Sequence, residues 1–111
     1  MSVHISPIAN SITHDNGTNF SVKRLELEKF EGFQSAIKGL DHFYMTGPTF
    51  APHPHAGFSA ISYLFEDSEG KLRNRDSLGN DFIAKAGELI WSQAGNGIIH
   101  DELPEYVGKT V

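Results

Sequence analysis

Glycine, asparagine, proline and aspartate recur at short intervals along this chain, and between them apolar residues alternate with polar ones. A period of two places successive side chains on opposite faces of an extended strand, and frequent turn formers leave no room for long helices. The pattern predicts strands at 19–27 (NFSVKRLEL), 41–46 (DHFYMT), 58–66 (FSAISYLFE), 71–77 (KLRNRDS), 81–86 (DFIAKA), 88–94 (ELIWSQA) and 97–103 (GIIHDEL). DSEG at 67–70 and SLGN at 77–80 read as hairpin turns, and the Asn96-Gly97 pair inside AGNG signals a tight reversal. Segment 27–39 reads either as a short helical turn or as two strands broken at Gly32, and residues 1–18 as an arm or an edge strand. Many short antiparallel strands with close turns imply an all-β small barrel or sandwich.

The chain has 111 residues, enough for one domain, placed at 19–111 behind the arm. Eight phenylalanines, three tyrosines and one tryptophan suffice for a core. The absence of cysteine removes disulfides, thiolate nucleophiles and cysteine-type zinc sites, and fits a reducing, cytoplasmic setting. A net charge of −5 argues against broad binding to nucleic-acid phosphates. The densest basic stretch, KLRNRDS, carries Asp76 and follows the acidic EDSEG, so it reads as a solvated hairpin tip. No apolar run approaches a membrane span, and the start MSVHISPIANSITH lacks the basic and apolar regions of a secretory signal.

Two of the six histidines stand one residue apart in APHPHAGF, residues 51–58, and a second i, i+2 pair follows in IIHDELPE as His100 and Glu102. In an extended strand such residues share a face, roughly 6–7 Å apart. Pro52 and Pro54 stiffen the first pair, and Gly57 lets the chain bend after it. Either pair alone is weak. Two pairs on neighbouring strands would bring three imidazoles and a carboxylate around one point, as metal bonds of about 2 Å require. That ligand set suits Fe, Mn, Ni, Cu or Zn, and spacing does not choose among them. The bland reading fits other side chains. Trp91, Phe58, Tyr63 and Phe65 read as core in preference to substrate stacking, and Phe43 and Phe50 as core or as the mouth of a pocket. His42 reads as a support for a ligand or as a structural histidine, and His4 and His14 as exposed. Asp101 reads as solvent-facing or as capping a turn, and Arg75 with Asp76 as a surface ion pair.

Residues 47–70 fit the first cupin motif: Gly47, five residues, His53 and His55, then the glycine of EDSEG. LDHFYMTGPTFAPHPHAGFSAISYLFE resembles the DHF and PHPHRGFE segment of the pirin family. RDSLGN is similar to its HRDS-G stretch, and KAGELIWSQAGNGIIHDELPE to its GPGDVQWMTAGRGIxHSE-P signature. The resemblance is strong over about 41–105. It implies a double-stranded β-helix, the cupin or jelly-roll barrel, holding mononuclear iron on His53, His55, His100 and Glu102. Family members include quercetinases, which open a flavonol ring with O2, and eukaryotic nuclear cofactors of transcription. Two positions depart: the family's Arg and Glu in HRGFE are Ala56 and Ser59 here.

The resemblance thus implies an Fe2+ dioxygenase acting on a phenolic molecule, with Mn2+, Ni2+, Cu2+ and Zn2+ as alternative metals. Glu102 is then both ligand and acceptor of the substrate hydroxyl proton. The competing readings are a metal-dependent regulatory or interaction module without turnover, and a metal-free sugar-binding or isomerase cupin. A full pirin has two cupin domains, and eight residues follow Leu103. The expectation is a barrel left open, a truncated relative, or closure by a partner chain, with a homodimer favoured.

Overall fold

The alternating stretches form nine strands: β1 Ser11–Asp15, β2 Phe20–Leu25, β3 Asp41–Met45, β4 Phe50–His55, β5 Ser59–Tyr63, β6 Leu72–Asp76, β7 Asp81–Ala84, β8 Leu89–Gln93 and β9 Ile98–Pro104. The structure is a computed structural model and describes residues 1–111. The chain divides into two compact units, Met1–Phe43 and Tyr44–Val111. No helix is long and apolar enough to cross a membrane.

In the first unit β1 and β2 pair antiparallel, with Ser11 opposite Leu25 and Asp15 opposite Ser21. Gly17, at φ +66°, makes the turn between them, a conformation that residues with a Cβ adopt reluctantly. β1 is the edge of a sheet ordered β1-β2-β3. Segment 27–39 resolves as a single 3-10 turn, Leu27–Phe30, followed by further turns rather than strands. Phe20 lies against Phe43 at 6.0 Å between ring centroids. Arg24 grips Asp41 with two hydrogen bonds, of 2.8 and 2.7 Å, on the exposed surface.

The second unit holds a four-stranded antiparallel sheet, β4-β9-β6-β7, and a two-stranded one, β5-β8. Successive strands alternate between the sheets, so β4 passes to β5, β5 to β6, β7 to β8 and β8 to β9 by crossing over. This interleaving is the jelly roll. Residues 77–80 do form the β6–β7 hairpin. The turn at 67–70, expected as a hairpin, and the tight reversal at 94–97 both join strands of different sheets. KLRNRDS is not a solvated tip. It is the inner strand β6, with Leu72 and Asn74 buried and Arg73 and Arg75 outside.

Met45, Leu64, Leu72, Ala84, Ile90, Ala94 and Ile98 make the apolar core of this unit. Each large aliphatic side chain buried there contributes about 1.5–3 kcal/mol. The last residues join it. Val111 exchanges backbone hydrogen bonds with Met45 (3.0 and 2.9 Å), Gly70 N–H donates to Thr110 O (2.8 Å), and Gly108 N–H to Thr46 O (2.7 Å). A Cβ on Gly70 would lie 2.8 Å from Val111 Cγ2, so only glycine lets the chain end pass this closely. The residues after β9 therefore supply backbone pairing to Met45, Thr46 and Gly70.

The aromatic residues expected inside are outside. Cross-strand pairing sets Ile61 opposite Trp91 and Tyr63 opposite Leu89, and Trp91 is 66% exposed. Phe58 and Phe65 are exposed as well. The inward positions of these strands are the small Ala60, Ser62, Ser92 and Ala94, with Leu64 and Ile90. Asp101, expected in solvent, is buried, because Arg75 covers it with two hydrogen bonds. Asp76 makes no pair with Arg75. It accepts from the backbone N–H groups of Leu78 and Asn80 and holds the β6–β7 turn.

Leu72, fully buried, should cost about 2–5 kcal/mol of stability when cut to alanine. Trp91→Ser on the outer face should change it by no more than about 0.5 kcal/mol. Urea denaturation measures both, and a Trp91 effect as large as that of Leu72 would contradict this arrangement.

Candidate metal centre

β4 is the edge of its sheet, which is where a strand tolerates prolines that cannot donate to a ladder. A register shift between Phe50 and His53 absorbs the first of them. Beyond it His53 lies directly opposite His100, and His55 opposite Ile98. The period of two turns His53 and His55 to the interior, where both are half-buried. Ile98, His100 and Glu102 share the inward face of β9, and all three are buried. Gly57, at φ +76°, then bends the chain out of β4 towards the other sheet.

The three imidazoles meet. Nε2 of His100 lies 3.0 Å from Nε2 of His55 and 3.0 Å from Nε2 of His53. The ligand atoms of all three lie within 4.8 Å of one another. The far side of two rings is tied down. Nδ1 of His53 donates to the Ala51 carbonyl at 2.8 Å, an oxygen that can only accept. Nδ1 of His100 donates to Asn74 Oδ1 at 3.1 Å. With their protons on Nδ1, both rings present bare lone pairs at Nε2. Two bare lone pairs at 3.0 Å do not hydrogen-bond each other; a cation between them relieves the repulsion. Ligands at about 2.1 Å from one ion and at right angles to each other stand about 3.0 Å apart. The donor set therefore fits a divalent transition metal.

Glu102 does not crowd in among the rings. Its carboxylate accepts from Ser62 Oγ, at 3.0 Å to Oε1 and 3.1 Å to Oε2. Burial raises its pKa, opposed by the Ser62 hydrogen bond and by the fields of His53 and His55. His100 is held below the ordinary imidazole range by burial and by His53. His55 is depressed by burial and by His100 and His53. Depressed imidazoles stay neutral, as metal ligands must. Phe50 and Phe58 flank the rings, with centroids 6.4 Å from His53 and 5.2 Å from His55 respectively. His42 lies in the first unit, and His4 and His14 are exposed.

Sequence reasoning missed Asn74 and Ser62, and favoured core over substrate stacking for Phe58, whose ring stands beside His55. For Asn74 a signal existed: it is the one polar inward position of β6 between Leu72 and Asp76. Ser62 gave none.

An interleaved jelly roll whose interior gathers three converging imidazoles is a cupin with a candidate metal centre. Residues 10–111 match the family model described as Pirin, and the chain belongs to that family. It is 39% identical over 85 residues to a Pseudomonas aeruginosa protein named "Putative quercetin 2,3-dioxygenase", covering 72% of this chain and 27% of that protein. It is 35% identical over 85 residues to a pirin-like protein of Arabidopsis thaliana, covering 76% and 25%. A pirin-like protein of Caulobacter vibrioides is 47% identical over 51 residues, covering 46% and 17%. The chain thus spans about a quarter or less of the length of these curated relatives. No solved structure matches the chain.

Asn74→Ala should weaken metal binding by about ten- to a hundredfold, since it frees the His100 ring and its tautomer. A metal titration monitored by competition with a chelator measures this, and unchanged affinity would contradict the role of Asn74. The metal-free protein should also respond to acid. His55 and His100 have folded pKa values below the ordinary 6.5, so the unfolded chain binds protons first as pH falls past 6.5. Their contribution is present above 6.5 and disappears towards the lower folded values. Glu102, raised above its ordinary 4.5, contributes in the opposite sense, losing stability as pH rises through its folded value. Denaturation at stepped pH should therefore show stability falling on acidification, more steeply in Glu102→Gln; a shallower fall in that variant would contradict these assignments.

Proposed function

We propose that this chain is the metal-binding cupin of a dioxygenase of the quercetinase type. In this reading His53, His55, His100 and Glu102 would hold Fe2+, and the substrate is a flavonol or related phenolic. The observation that carries it is the convergence of three Nε2 atoms, two of them fixed by acceptors at Nδ1. The name of the Pseudomonas relative supports the choice of reaction. Mn2+, Ni2+, Cu2+ and Zn2+ suit the same donors.

A bound ion supplies Lewis-acid and one-electron chemistry to a phenolic oxygen and to O2. The residues of the chain do the rest. Phe50 and Phe58 present ring edges and faces beside the imidazoles, walls suited to a flat aromatic guest. Glu102, whose buried carboxylate holds its proton more tightly than usual, takes the hydroxyl proton of the phenolic at its carboxylate. Asn74 holds the tautomer and orientation of His100.

The alternative is a metal-dependent regulatory or interaction module without turnover, favoured by Ala56 and Ser59 in place of the family's Arg and Glu. O2 uptake by the iron-loaded protein across a panel of flavonols and catechols separates the two: iron binding with no uptake on any of them establishes the module. If Glu102 is both ligand and base, Glu102→Gln should lose turnover by about 10²–10⁴-fold, far more than it loses iron. Equal loss of both refutes the dual role. We place the protein in the cytoplasm, acting as a homodimer without membrane or direct nucleic-acid contact, a setting consistent with its lack of cysteine and its net charge of −5.

A further inference from the structure

Ser62 belongs to β5, in the sheet opposite the one that carries the imidazoles. Its side chain is half-buried and faces inward, and its hydroxyl is hydrogen-bonded to the carboxylate of Glu102 on β9. The contact therefore ties the two sheets together at the ligand strand. Its distances to Oε1 and Oε2 are nearly equal, 3.0 and 3.1 Å. Equal distances put the hydroxyl close to the plane that bisects the carboxylate, which is also where a chelated cation must lie. The single proton of the hydroxyl is shared between the two oxygens, so the hydroxyl competes with a cation for the position between them and leaves one-oxygen contact open.

We propose that Ser62 is a positioning residue that keeps Glu102 a one-oxygen donor to the metal. This rests on the metal-centre reading above. With three imidazoles and one carboxylate oxygen, an octahedral ion keeps two positions for exogenous ligands. Without the hydroxyl, Glu102 turns both oxygens to the ion and closes one of them. Ser62 thereby sets how many small molecules the centre can take at once, which matters for a reaction that joins an organic oxygen and O2. It does so from the sheet that bears no ligand.

Cobalt(II) as a visible-spectrum probe and azide as an exogenous ligand test this without any turnover assay. Ser62→Ala should change the visible band of the cobalt-loaded protein and weaken azide binding by about ten- to a hundredfold. Ser62→Thr, which restores the hydroxyl, should give the wild-type band and azide affinity. An Ala variant identical to wild type overturns the proposal, as does an equal change in Ala and Thr, which marks a packing role. Loss of all cobalt binding in the Ala variant also overturns it, because the hydroxyl is then needed for ligation itself. Those results leave the metal centre standing; wild-type protein that takes up no cobalt, iron, manganese, nickel, copper or zinc removes the centre and Ser62's role together.

Discussion

Nε2 of His53 and Nε2 of His100, both bare lone pairs 3.0 Å apart, repel each other, and the second unit is built to impose that arrangement. The pairing of His53 with His100 across β4 and β9 sets it, and a one-residue slip of either strand would send its ligands to the opposite face. Hydrogen bonds to Ala51 and Asn74 then lock the tautomers of His53 and His100. Burial adds the electrostatic part, holding His55 and His100 neutral. A cation repays at a single point what register, desolvation and tautomer each cost.

The surroundings follow from the same need. The interior of a small barrel is filled by its own side chains, and here imidazoles, a carboxylate and an amide occupy it beside the aliphatic residues. Small inward residues on β5 and β8 fit against that filling, and the bulky ones stand outside. On the outer face of the larger sheet Arg73 pairs with Asp81 and Arg75 with Asp101. The Asp101 carboxylate is buried, so its partner matters more than an exposed pair would: an unpaired charge in that position is costly.

Local pattern made much of this legible. Seven strands could be read within a few residues of their ends from alternation alone, and the i, i+2 spacing named the histidines that meet. Long-range facts were not legible. That Asn74 backs His100 depends on β6 pairing with β9, and that Ser62 reaches Glu102 depends on how two sheets face each other. The aromatic residues show the limit of alternation most clearly. It divides β5 into Ile61 and Tyr63 on one face and Ala60 and Ser62 on the other, and hydrophobicity favours the first pair as core. The opposite holds because the interior is occupied by ligands. The 94–97 turn was likewise readable as a tight reversal, while its passage between sheets was not.

X-ray absorption fine structure of the protein loaded with iron(II) counts the ligands directly. One ion per chain with three imidazole rings in a shell at about 2.0–2.2 Å is the expected result. A stoichiometrically bound ion with fewer than three imidazoles, or a chain that retains no ion when His53, His55 and His100 are all intact, would contradict it.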